Sequence, residues 1–148
     1  MSWWRNGRVA DLGQMDMRQL VRAYVTYPSI VLYAALIVAA LVASAWLGAA
    51  ERPWRSLATV ALTLLVYPLV EYLLHRYVLH ARWLYKSPLT AKLWKRIHFD
   101  HHQDPHRLDV LFGALSTTLP VVLVVAAPVG WAIGGFPSAA AAVAAGFL

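Results

Sequence analysis

The sequence predicts an all-α integral membrane protein, a bundle of about four transmembrane helices with a histidine-rich helical segment on its cytoplasmic side. Three observations lead there. The chain is 60% hydrophobic and only 14% charged, whereas ordinary globular domains carry about 25% charged residues. Long stretches hold no Asp, Glu, Lys, Arg or His at all. The six histidines all lie between His75 and His106, so the chemistry is confined to one segment. The length allows a single domain, residues 1–148.

The first uncharged run, Ala23–Ala50, exceeds the roughly 20 residues a spanning helix needs. It is also too long for the apolar region of a signal peptide, and the arginine- and aspartate-bearing Met1–Arg22 makes a poor leader. Residues 27–48 therefore read as a retained first span. Ser56–Val70 is shorter, but Glu71-Tyr72-Leu73-Leu74 continues it, giving a second span over 57–76. The third run, Val110–Leu148, is too long for one span. Gly134-Gly135-Phe136-Pro137-Ser138 breaks it, because Gly and Pro are the strongest turn signals. The third span is then 110–133, with kinks expected at Pro120 and Pro128. Ala139–Leu148 falls well short of the roughly 20 residues needed to cross, so the fourth helix (139–148) reads as cut short. Ahead of the first span, Met17, Leu20, Val21 and Tyr24 follow helical spacing, with Asp11 and Gln14 placed as a capping pair. That pattern predicts a short interfacial helix.

Thirteen Lys and Arg against seven Asp and Glu give a net charge of +6. In so apolar a chain this excess should face anionic lipid, not nucleic acid. Most of it lies in Met1–Arg22 and in Arg76–Asp109, so the positive-inside rule places the N-terminus and the histidine segment in the cytoplasm. Ala49–Ser56 and the Gly134-Gly135 turn are expected outside. Trp46, Trp54, Trp83, Tyr85, Trp94 and Trp131 read as interfacial anchors. The Ala- and Arg-rich composition points to a bacterial inner membrane. Cysteine is absent, which excludes disulfides, iron–sulfur clusters and thiolate-held haem.

The histidines form two groups. His75 and His80 end the segment EYLLHRYVLH. Five residues turn an α-helix by about 140° beyond a full turn and rise about 7.5 Å, so the two rings do not share a face. They serve two metals, or one metal if the helix loosens there. In HFDHH, the offsets of His98, His101 and His102 bring three imidazoles onto one face. Pro105 then ends or kinks that helix and leaves His106 off it. Three adjacent imidazoles make poor packing, since neutral rings need partners and charged rings repel. Ionisable groups at a membrane face are costly and usually functional. Imidazole suits zinc, copper, iron and nickel alike. The spacing by itself supports a metal site at the cytoplasmic membrane face.

At HRYVLH, at HFDHH and at the following Asp104-Pro105-His106-Arg107-Leu108-Asp109, the chain resembles the fatty acid hydroxylase/sterol desaturase superfamily of membrane di-iron enzymes. The likeness is greatest to fatty acid 2-hydroxylases, with carotenoid hydroxylases next, and it covers about Glu71–Phe112 with the spans on either side. It implies that His75, His80, His98, His101 and His102 are metal ligands. His106 matches no family ligand and stands as a further candidate. The family repeats its histidine motifs after the fourth span, and this chain carries one set. It is therefore expected that this chain alone holds no complete two-metal centre and does not hydroxylate lipid.

The resemblance further implies two irons, with zinc able to take their place in a purified sample. The reaction would be O2-dependent hydroxylation of a C–H bond in a membrane lipid, a fatty acyl chain first of all. Sterol- or carotenoid-type hydroxylation and desaturation start from the same oxidant and stay open. Electrons would come from a separate donor, since no flavin, nicotinamide or haem signature is present. Glu71 lies four residues before His75 and can hold its other ring nitrogen, as carboxylates commonly do for metal-bound histidine. Asp100 and Asp104 are candidates for the same role. Two other classes remain: a metal-binding membrane protein without redox chemistry, and a non-catalytic relative serving as a partner subunit.

Overall fold

The computed structural model describes residues 15–103 and 115–148, and among them every regular element is helical. The helix α1 spans Met17–Thr26, α2 Pro28–Trp46 and α3 Pro53–Leu73, the last continued by a π-helical turn, Leu74–Leu79. Short helices follow: α4 (Arg82–Lys86), α5 (Ala91–Trp94), a second π-helical turn (Lys95–Phe99) and α6 (Asp100–Gln103). The final helical run, α7, covers Leu115–Gly146. Its backbone leaves the helical region at Gly134 (φ −154°, ψ 24°) and Gly135 (φ 71°, ψ −155°). The positive φ at Gly135 is open to glycine at little cost. The break expected at Gly134–Ser138 is therefore present, and α7 consists of two helices.

Among the described residues, three helical runs are long and apolar enough to cross a membrane: Pro28–Trp46, Pro53–Leu79 and Leu115–Gly146. Only 6%, 11% and 17% of their most apolar stretches are buried within the protein. Leu41, Val42, Leu65, Leu69 and Val124 all stand exposed, which is stable only if lipid covers them. The second run starts ahead of the expected Leu57 because Pro53 is favoured in the first turn of a helix. Pro68, Pro120 and Pro128 lie inside helices, as membrane helices tolerate. Of the expected third span, residues 110–114 lie outside the described set.

The cap of α1 differs from the expected pair. Asp16 is the N-cap: its side chain accepts from the Gln19 N–H at 2.8 Å, and the Gln19 side chain accepts from the Asp16 N–H at 3.0 Å. Asp11 and Gln14 lie outside the described residues, and they precede this helix. The same Asp-x-x-Gln spacing occurs twice, and the copy next to the apolar positions is the one that caps. Met17, Val21 and Tyr24 stay exposed, as an interfacial helix requires.

By its contacts the chain divides into two compact units. One comprises Met1–Ile30 with Leu73–Leu115, and the other Val31–Tyr72 with Ser116–Leu148. In the second unit the two halves of α7 fold back on each other through small residues. A Cβ placed on Gly130 would lie 2.4 Å from the Ser138 carbonyl oxygen and 2.8 Å from the Ala142 Cβ. One on Gly146 would lie 3.0 Å from Val122. Such small-residue contacts let backbones approach closely where lipid supplies no hydrophobic drive. Polar links add to them: Ser44 Oγ donates to the Pro137 carbonyl at 2.7 Å and Tyr33 Oη to Thr118 Oγ1 at 3.0 Å. Tyr33 also stacks on Phe147, ring centres 5.4 Å apart.

Gly130→Leu should therefore cost about 1–3 kcal/mol, the range for overpacking a close contact. Val124→Leu, at a position 75% exposed, should change stability little. Thermal unfolding of both variants in detergent checks this, and equal midpoints would refute the close packing of the α7 hairpin.

Candidate metal centre

The site belongs entirely to the first unit and is assembled from two departures from α-helical geometry. At the end of α3 the ladder shifts to the π pattern over Leu74–Leu79, and the His80 N–H donates to the His75 carbonyl at 3.3 Å. An i→i+5 hydrogen bond sets residues five apart over each other, and the two imidazole centres lie 5.2 Å apart. Of the two outcomes the spacing left open, the loosened helix is the one found. The second π-helical turn, Lys95–Phe99, contains His98, and α6 follows with His102. These two rings are 4.7 Å apart.

The connecting segment returns the second group to the first. Leu84 is buried, and its carbonyl accepts from Thr90 Oγ1 at 2.6 Å, which closes the turn between α4 and α5. Trp94 then reaches across. Its indole Nε1 donates to the Leu79 carbonyl at 2.6 Å, one of the last carbonyls of a helical run and so without an intrahelical donor. The same indole packs against His98 at 5.6 Å, Tyr85 at 5.1 Å and Phe99 at 5.9 Å between ring centres.

His75, His80, His98 and His102 thus converge, each offering one ring nitrogen, and these nitrogens all lie within 4.8 Å of one another. Ligand atoms about 2.0–2.1 Å from a tetrahedral zinc-like ion lie about 3.3 Å apart. Small rotations of four rings span the difference, so the group can hold one metal ion. His98 is 3% exposed, His75 half-buried, and His80 and His102 exposed. The cluster is anchored on one side and open on the other.

The backbone of His101 is in α6, but its side chain lies outside the described set, as do His106 and Asp104 entirely. Asp100 is engaged in an ion pair with Lys95. Glu71 stands exposed in the last turn of α3. Trp94 is the residue that sequence reasoning undervalued, having assigned it to membrane anchoring. Its position four residues before His98, on the same helical face, was the available signal.

Cobalt(II) or zinc titration of the purified chain checks the arrangement. His75→Ala, His80→Ala, His98→Ala and His102→Ala should each abolish stoichiometric binding, whereas His106→Ala should have little effect. Trp94→Phe keeps the ring but removes the donor to Leu79, and should weaken binding about 10-fold, the lower end of the range for groups that hold ligands in place. Full affinity in Trp94→Phe would show that the indole bond does not position the site.

No protein-family model, curated protein or solved structure matches the chain.

Proposed function

We propose that the chain is a fatty acid hydroxylase-like membrane oxidoreductase, in which histidine-held iron, once further ligands complete the centre, serves to hydroxylate a C–H bond of a lipid acyl chain. The observation that carries this reading is the convergence of His75, His80, His98 and His102 in a chain whose long helices suit a bilayer. Bound iron supplies O2 activation there, with electrons from an external donor. The chain's own residues do the rest. His98 is buried against the Trp94 indole, and the exposed His80 and His102 leave the site accessible to substrate. Arg76 and Arg82, close in sequence to His75 and His80, would meet the polar end of an acyl chain at the membrane face.

The four described imidazoles fit one ion. A two-iron centre needs about eight protein ligands, and His101 and His106 are the next donors in sequence. In this reading the two halves of α7 belong to the third and fourth helices of the family's bundle. The one-ion fit also favours a second reading, a metal-binding membrane protein without redox chemistry.

Deleting the gene from its source organism separates the two. Loss of an O2-dependent hydroxylated acyl species from the lipids is expected, restored by the wild-type gene and not by His98→Ala. Unchanged lipids, with metal still bound by the purified protein, would favour the redox-inert reading.

The lysine and arginine excess supports a cytoplasmic N-terminus and histidine segment, and the Ala- and Arg-rich composition supports a bacterial inner membrane. A cysteine at Ser56 should then react with an impermeant maleimide on intact cells, and cysteines at Ser2 and Ser87 only after lysis. The reverse pattern would invert the topology.

A further inference from the structure

A second polar site lies in the other unit, where the segment joining α2 to α3 meets the break in α7. A cavity of about 190 Å³ is lined there by residues including Glu51, Arg52, Arg55, Ser56, Gly134 and Ser138. In an otherwise apolar unit its lining is mostly polar.

Two of the lining residues carry a buried polar atom without a hydrogen-bond partner. Ser138 is 1% exposed, and its hydroxyl forms no hydrogen bond. Its oxygen is held close to Gly134, where an added Cβ would lie only 2.2 Å from it. The Nε of Arg55 is likewise buried and unbonded. An unsatisfied buried donor costs about 1–3 kcal/mol, so two in one cavity point to an acceptor that belongs there. Among the described residues neither Arg52 nor Arg55 forms an ion pair with Glu51, which leaves two guanidiniums against one carboxylate. Arg55 also sits in the first turn of α3, where the helix dipole favours negative charge.

The surroundings identify the source of the anion. Trp46 is 92% exposed and Trp54 63% exposed, one at the end of α2 and the other at the start of α3. The Arg55 guanidinium lies over the Trp54 ring, 5.2 Å from its centre. Exposed tryptophans at helix ends mark the headgroup level of a membrane, where phosphate is the abundant anion, and arginine matches phosphate geometry better than any other side chain. We propose that this cavity binds a phosphate group, that of a phospholipid head, through the Arg55 guanidinium and the Ser138 hydroxyl. The site is independent of the histidine cluster and of any activity assigned to it.

The test uses the full chain in dodecyl maltoside, titrated with dioctanoyl-phosphatidylglycerol, dioctanoylglycerol or inorganic phosphate while thermal unfolding is followed. The phospholipid should raise the unfolding midpoint saturably, and the phosphate-free diacylglycerol should not. Arg55→Gln and Ser138→Ala should each weaken the apparent affinity about tenfold or more, as loss of a charge-assisted bond does, and Arg55→Lys should recover part of it. A cooperative unfolding transition with the wild-type midpoint in the absence of ligand verifies that each variant is folded. Should Arg55→Gln fail to fold, Ser138→Ala carries the test, since it removes one oxygen from an α7 position. A shift by inorganic phosphate equal to that by the lipid, with the same variant sensitivity, would keep the phosphate site and overturn its lipid source. No shift by either, or variants that bind as the wild type does, would overturn the proposal.

Discussion

Four imidazoles can share an ion only if the backbone aims them at one point, and a regular α-helix does not do so for His75 and His80. The π-helical turn at Leu74–Leu79 removes that obstacle by lengthening the hydrogen-bonded loop from four residues to five. A second such turn at Lys95–Phe99 carries His98 into the same space. Turns of this kind are rare and concentrate at functional sites, because they give up regular hydrogen bonding for a particular side-chain direction. Here both coincide with histidine motifs. The Trp94 indole then meets the carbonyl of Leu79 at the point where the first π turn ends. The chain from Arg82 to Trp94 is a clamp whose effect is to hold one altered turn against the other.

The second unit obeys a different constraint. Lipid tails are as apolar as leucine, so its helices gain nothing from hiding hydrophobic side chains from their neighbours. Leu41, Val42, Leu65, Leu69 and Val124 accordingly stand exposed, and Ser44, Thr59, Val122, Ala126, Ser138, Ala141, Ala142, Ala144 and Ala145 are buried. The hydroxyl of Thr59 returns to the Arg55 carbonyl one turn back at 2.8 Å, and that of Ser44 crosses to Pro137. The Ser138 hydroxyl and Arg55 Nε, by contrast, are buried and unbonded. Thr63 Oγ1 and Tyr67 Oη of the same unit are unbonded too, but it is Ser138 and Arg55 that line the polar cavity.

The parts legible in the sequence are those governed by composition and local chemistry. Uncharged runs gave the spans to within a few residues, since a bilayer admits little else. The Gly134-Gly135 break was readable because the φ of 71° at Gly135 is one that few other residues adopt. Where two equivalent local signals compete, the pattern is weaker. Asp11/Gln14 and Asp16/Gln19 have the same spacing, and only the position of the first helical turn distinguishes them.

The histidine spacing by itself determined that a metal-type cluster sits in one segment, and it left open whether His75 and His80 act together. Tertiary structure decided that point. Hydrogen-bond register within a helix costs little to change locally, and which register prevails depends on contacts made by residues far along the chain, here Trp94 and His98. The polar cavity at Arg55 and Ser138 was equally invisible beforehand. Its two donors are distant in sequence, belong to no motif, and become neighbours only because α7 folds back at a glycine pair and brings its break against the start of α3.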